Sequence, residues 1–339
     1  MALFVGGRSL ATSEAVILGC DSLSSTTDYL LSPWDFIERD AHGAPVLDEN
    51  GLVTARFPLD GLQPVVTNAF GGVTKMFSIS HGGVEAAAVT SGLATLAGST
   101  IHSHAEDFLS RGDAAETVAG VAEAFLHHMR QLYERDMEAY SLPLGYQPEL
   151  EFLVGGYDAT SAFPSTFRIK VKDNTCTLIY GDGKSGLSWA GQADGVERLL
   201  FGIDSQLRSR IMLAVNDTID RFYEESKAKT AQIVAKLIDT AGLDRLPDEI
   251  DTEFVARPAI TLPDDEFRLD IDFANSPMQD AIDLVSYLVN LQSGRAKFVR
   301  GVATVGGRTH IGVITRNNRL KMLNEPDFIH RNVGYSNDY

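Results

Sequence analysis

The hydrophobic period of this chain changes in blocks, and that order limits its architecture more than any single motif does. Alternating apolar and polar positions mark strands, whereas apolar residues three and four apart mark the buried face of a helix. Strand-like runs come first: LFVG at 3–6 and AVILGC at 15–20, joined by the turn-rich GGRSLATSE, read as a hairpin that ends on Asp21. A second hairpin is expected over KMFSISHGGVEAAAVTSG, 75–92, around its His-Gly-Gly turn. The period then lengthens. Residues 93–111 and 113–140 read as amphipathic helices, the second opened by Asp113 and Glu116 as a capping box. Strands return at ELEFLVGGYD, STFRIKVKDN, TCTLIYGD and LSWAGQ, and after Asp194 a long helical region stops at Gly242. A last helix with Ser276 as cap and Pro277 in its first turn precedes a hairpin over THIGVITRNNRLKML that turns at Asn317 and Asn318. Blocks of strands alternating with blocks of helices exclude a regular βαβ repeat and imply an α+β fold, antiparallel sheets between layers of helices.

Two stretches escape both periods. Ser22 to Asn68 is broken by Gly, Pro, Asn and Asp and reads as a loop-rich excursion, and LPDEIDTEFVARPAITLPDDEF reads as irregular or extended. With 339 residues the chain has room for a core that needs no staples. Its two cysteines, Cys20 and Cys176, lie in apolar or β-branched runs, as buried thiols of a reducing compartment do, so the cytoplasm is the expected location. A formal net charge of -17 argues against nucleic acid or an anionic membrane as partner, because both are bound by clustered Lys and Arg. No run approaches the roughly 20 apolar residues that span a bilayer, and no signal peptide is evident.

Several motifs fail on their mechanics. GDGKSG, 181–186, has the letters of a dinucleotide fingerprint, yet a strand-like LSWAG follows it where a helix must open. A phosphate loop fails too, since Leu178 stands where its first glycine belongs. His102 with His104, and His127 with His128, lack the spacing of a metal site, and surface or capping roles are expected for them. No serine sits in a nucleophile elbow and neither cysteine carries a thiol-protease signature. No metal and no cofactor is expected.

The succession VILGCDS, KMFSISHGGVEAAAVTSG, LVGGYD, LSWAGQADGVERLL, AIDLVSYL and TVGGRTHIGVITR resembles the proteasome β-subunit family of N-terminal-nucleophile hydrolases, bacterial relatives included. The resemblance implies a four-layer αββα sandwich in a single domain over 1–339, with insertions at 26–68 and 202–275. It also implies threonine-type peptidase activity on peptides or unfolded proteins, and self-assembly into rings or stacked homo-oligomers; it leaves any ATPase partner unknown. In that chemistry an N-terminal hydroxyl is activated by its own α-amine, whose ordinary pKa is about 8. A lysine paired with an aspartate tunes the amine, and a glycine N–H receives the oxyanion. The matching positions are Asp21, Lys75 and Gly92, and the nucleophile position falls on Ala2 once Met1 is removed.

Alanine has no Oγ, so the chain as written forms no acyl-enzyme. The family's supporting polar residues are also replaced, by Ala190 in WAGQ and by Val302 and Val305 around TVGG. Two explanations stand at this point: a nucleophile replaced by alanine in an otherwise competent enzyme, or a naturally silent structural subunit. An amidase on small non-peptide amides shares the same nucleophile logic.

Overall fold

The structure is a computed structural model that describes residues 2–7, 15–30, 36–55, 63–111, 115–140, 144–242, 260, 269–273, 275–299 and 302–323. The chain forms two compact units, Met1–Ala193 with Asp272–Tyr339 and, separately, Asp194–Ile271.

The first unit is built on two five-stranded sheets, every strand pair antiparallel. Sheet 1 has the order β12-β1-β2-β13-β14, from β1 (Ala2–Gly7), β2 (Ala15–Asp21), β12 (Gly186–Ala190), β13 (Thr309–Thr315) and β14 (Asn318–Met322). Sheet 2 has the order β11-β10-β9-β6-β5, from β5 (Met76–Ser78), β6 (Glu85–Gly92), β9 (Leu150–Tyr157), β10 (Ser165–Lys170) and β11 (Thr175–Tyr180). The period-two patterns thus become strands where the sequence placed them. GDGKSG leads into β12 and not into a helix, which removes the nucleotide reading on geometric grounds.

Side-chain alternation assigns each face. Val16, Leu18 and Cys20 of β2 join Met76, Val89 and Leu153 of sheet 2 in one apolar cluster between the sheets. On the other face of sheet 2, Phe77 and Phe152 meet Phe108 of α1 (Ile101–Ser110) and Phe125 of α2 (Val118–Tyr140). Phe125 stacks edge-on against Phe108 and Phe152, with ring centroids 5.2 and 5.0 Å apart. Sheet 1 turns its opposite face to α5 (Met278–Phe298), whose Val285, Leu288 and Val289 are buried. Gly19 lies at that contact. A Cβ there would overlap Val285 Cγ1 and come within 3.2 Å of Val289 Cγ2, so β2 and α5 approach closely only because the position has no side chain.

The excursion contains two strands that its composition hid. β3 (Ser24–Leu30) and β4 (Gln63–Phe70) pair in a two-stranded ribbon rather than a loop, because Thr and Val favour a pleat as strongly as Gly and Pro elsewhere favour turns. Asp40 and Asp48 each accept two backbone N–H bonds, which fixes the turns at 40–44 and 48–52.

Helix starts differ from the periodicity. α1 begins at Ile101, not at Leu93, because Thr100 caps it by accepting from Ser103 N, and 95–100 is spent on a small strand pair, β7 (Thr95–Leu96) with β8 (Ser99–Thr100). α2 begins at Val118, whose N–H is taken by Asp158 at 2.6 Å, while Thr117 accepts from Gly120; Asp113 lies outside the described residues. Pro277 precedes α5 as its cap without a side-chain bond, one residue earlier than its expected place in the first turn.

The second unit comprises α3 (Asp194–Phe201) and α4 (Ser205–Ala241), with Leu269 N bonded to Leu200 O. Asp204 caps α4 and pairs with Arg198, and Gly242 ends it in the left-handed conformation. Among the described residues no helix is long and apolar enough to cross a membrane.

The close approach at Gly19 is testable. Gly19→Val inserts three carbons between β2 and α5 and is expected to cost about 1–3 kcal/mol in urea unfolding; unchanged stability would show that α5 does not press on the strand.

Candidate active site

Asp21 closes β2, and its side chain is 1% exposed. A carboxylate in that position is tolerated only when its lone pairs are engaged. Oδ1 accepts from Lys75 Nζ at 2.9 Å, and Oδ2 accepts the backbone N–H groups of Gly306 at 3.0 Å and Leu23 at 3.2 Å. Burial on its own pushes the Asp21 carboxyl up; the positive charges of the chain's α-amino group and of Lys75, with the Gly306 N–H, outweigh it and hold the group below its ordinary value. Lys75 stands just before β5, so this one contact joins the end of sheet 1 to the start of sheet 2. The adjoining backbone is knitted in the same place: Ser22 and Leu23 donate to Gly306 O, Val73 donates to Ser22 O, and Arg308 N donates to Ser22 Oγ at 2.7 Å.

Ala2 starts β1 in register with Cys20 on one side and Ala190 on the other, which puts position 2 beside the residue that precedes Asp21. Cys20 is no substitute nucleophile. Burial, then the Asp21 charge, pushes its thiol up to about 12, and the thiol stays protonated.

Gly92 ends β6 at φ +96°, and a Cβ there would overlap the carbonyl oxygen of Glu149. No other residue fits without moving β9. Thr90 donates its N–H to Lys75 O at 2.9 Å, toward β5. Because alternate N–H groups along a strand point to the same side, the Gly92 N–H is aimed the same way, beyond the point where β5 begins. That side is a cleft of about 560 Å³, lined among others by Lys75, Thr90, Gly92, Ile101, Gln192 and Thr304. Lys75 and Gly92 therefore share one cleft, Asp21 reaches it through Lys75, and Ala2 is tied to it through the register with Cys20.

The positions read as a lost polar shell behave as apolar ones: Ala190 and Val305 are buried and Val302 is exposed. Two polar residues beside them escaped notice. Thr304 Oγ1 donates to Gln192 Oε1 at 2.7 Å, joining across the cleft edge two loops that lie 112 residues apart in the sequence. No spacing rule connects residues so distant; they meet because β12 and β13 belong to one sheet, with β1 and β2 between them. Glu151, also lining the cleft, is pushed up by burial and faces Arg168 at 3.2 Å. The histidine expectation needs correction. His104 and His128 are buried, with ring nitrogens on the carbonyl oxygens of Leu96 and His104, because α1 and α2 pack through that face. Among the described residues no group of three or more His, Cys, Asp or Glu side chains is placed to hold a metal ion.

No protein-family model matches the sequence, and no curated protein does. Similar solved structures include Anbu (ancestral beta-subunit) from Yersinia bercovieri, 9% identical over 96% of this chain and 88% of that one, with a TM-score of 0.40. The helical assembly of the Anbu complex from Pseudomonas aeruginosa is 10% identical over 97% and 88%, with a TM-score of 0.43. Anbu from Hyphomicrobium sp. strain MC1 is 11% identical over 96% and 89%, with a TM-score of 0.41. The assignment to the proteasome β-subunit family is therefore corrected: the similar structures are Anbu proteins, a distinct family, and no family model supports the original assignment. The six short motifs fall on β2, the β5–β6 hairpin, β9, the passage from β12 into α3, α5, and β13 with the approach to it, so they report the order of elements rather than family.

Because the folded Asp21 carboxyl lies below its unfolded value, its contribution is complete above about pH 4 and is lost as pH falls through the folded value. Lys75→Ala, which strands the carboxylate, is expected to lower unfolding free energy by about 3 kcal/mol at neutral pH. Urea titrations at several pH values should show the gap between wild type and Asp21→Asn closing on acidification. A gap constant with pH would remove Asp21 as the source.

Proposed function

We propose that the cleft is the site of an N-terminal-nucleophile amide hydrolase acting on peptide bonds, with position 2 as the place of the nucleophile. The observation that carries this reading is the ion pair of the buried Asp21 with the partly buried Lys75 at 2.9 Å, set beside a cleft that Lys75 and Gly92 both line. Read this way, the packing of α5, sheet 1, sheet 2 and α1 with α2 is a four-layer αββα sandwich, and 26–68 and 202–275 are insertions on one domain. Self-association in rings or stacks belongs to the same reading.

The chemistry follows from the geometry. With a hydroxyl at position 2 and Met1 removed, the free α-amine takes the hydroxyl proton as Oγ attacks the carbonyl carbon. The adjacent Lys75 charge favours the neutral amine, and Asp21 holds Lys75 in place. The tetrahedral oxyanion accepts the Gly92 N–H, the amine proton passes to the leaving nitrogen, and water resolves the ester. With Ala2 the same cleft binds an extended peptide and stops before the first bond forms.

A second reading, a silent structural subunit, is favoured by Ala2 itself and by the apolar Ala190 and Val305 around it. The two separate on one experiment. Ala2→Thr, with loss of Met1 verified by mass spectrometry, is expected to hydrolyse fluorogenic peptides and to be labelled at position 2 by a covalent threonine-directed inhibitor. In that background Lys75→Ala should reduce kcat at least 100-fold. Neither labelling nor turnover after the change would leave the structural reading standing.

A further inference from the structure

An oxyanion site built from backbone alone presents one donor here, and tetrahedral oxyanions are held best by two. Lys75 donates to Asp21 and, under the reading above, serves the α-amine rather than the oxyanion, which leaves room for a second oxyanion donor on another wall of the cleft. Gln192 stands on that wall. It follows β12 by two residues, and Ala190 at the end of β12 is the register partner of Ala2, so Gln192 continues past position 2 on the strand beside it. Its Oε1 accepts from Thr304 Oγ1 at 2.7 Å, and Thr304 lies two residues before Gly306, whose N–H holds Asp21. The carboxamide is thereby fixed at one end by the same loop that fixes the carboxylate. Gln192 is exposed, and among the described residues its amide has no other protein partner, so both hydrogens of Nε2 are open to solvent or to a ligand. A carboxamide pinned through its oxygen is a neutral donor whose orientation is set before a ligand arrives.

We propose that Gln192 is a second hydrogen-bond donor of the cleft, its Nε2 directed at the carbonyl oxygen of a bound peptide group opposite the Gly92 N–H, with Thr304 as the residue that positions it. This rests on the reading of the cleft as a peptide site. The ligand class is an extended peptide carrying apolar side chains, since Leu23, Val73, Leu93, Ile101 and Val305 supply the cleft's apolar lining.

The test has two arms. In titration calorimetry on the unmutated chain, with acetyl-Leu-Leu-Leu-amide as probe, Gln192→Glu is expected to weaken binding at least threefold. That variant keeps an oxygen that accepts from Thr304, loses the donor and adds a negative charge, and the uncharged Gln192→Leu separates the lost donor from the added charge. Gln192→Leu should do the same, and thermal melts should show both variants folded. In the Ala2→Thr background, Gln192→Glu should lower kcat about 100-fold with KM changed less than threefold, and Thr304→Val should give a smaller loss in kcat. Equal affinity for wild type and Gln192→Glu overturns the assignment and leaves the cleft reading intact. A probe that does not bind the unmutated chain overturns both. If Ala2→Thr turns nothing over, the peptidase reading falls alone and the calorimetry still decides Gln192.

Discussion

A carboxylate buried at the end of β2 sets the terms for everything around it. Removing such a group from water costs several kcal/mol unless its oxygens are occupied, and the fold meets that demand from three directions: Lys75 before β5, the Gly306 N–H before β13, and the Leu23 N–H just beyond β2 itself. Each donor comes from a different element, so the two sheets cannot slide along their strands without uncovering the charge. The ion pair is in that sense a register pin between sheets, and the cleft beside it inherits its rigidity.

The apolar layers work in the same direction. The cluster between the sheets is assembled from positions that alternate with those facing helices, so shifting any strand by one residue would exchange faces for the whole row. Gly19 shows the consequence at atomic scale, since its neighbours Leu18 and Cys20 point between the sheets while its own missing side chain lets α5 close on the other face. Gly92 plays the equivalent part at the cleft, where the Glu149 carbonyl occupies the space a Cβ would need.

How far the sequence could be read follows from which interactions are local. Strands of both sheets were legible because period-two alternation is a property of neighbours; α4 ended at Gly242 because a left-handed residue stops a helix wherever it occurs. The ribbon of β3 and β4 was illegible, since its strands are rich in Thr and interrupted by Pro64, and they pair with each other across the whole of 31–62 in the sequence. The start of α1 was misplaced because its apolar spacing runs on through a β7–β8 pair that only tertiary contact stabilises. At the site, Asp21, Lys75 and Gly92 were marked through the family resemblance and not by their local sequence, in which each is an ordinary residue at a strand end or strand start. Gln192 and Thr304 were not marked, because nothing in either local sequence points to the other. The family assignment failed for a related reason: short motifs describe an order of strands and helices and do not by themselves fix a family.

The energetics of the ion pair bear on what position 2 is for. Replacing a buried ion pair by apolar residues of similar size is often neutral or stabilising, and the neighbourhood here already leans that way, with Ala190, Val305 and Cys20 all buried around it. Stability alone would be served as well by a methionine and a leucine at 75 and 21. The charge pair does what such apolar substitutes could not, fixing the register of the two sheets and holding a positive charge beside the cleft. Under the proposed function that charge keeps the amine at the head of β1 neutral. Ala2 then removes the one atom the arrangement serves, while leaving the charges, the glycine donor and the Gln192 amide in place.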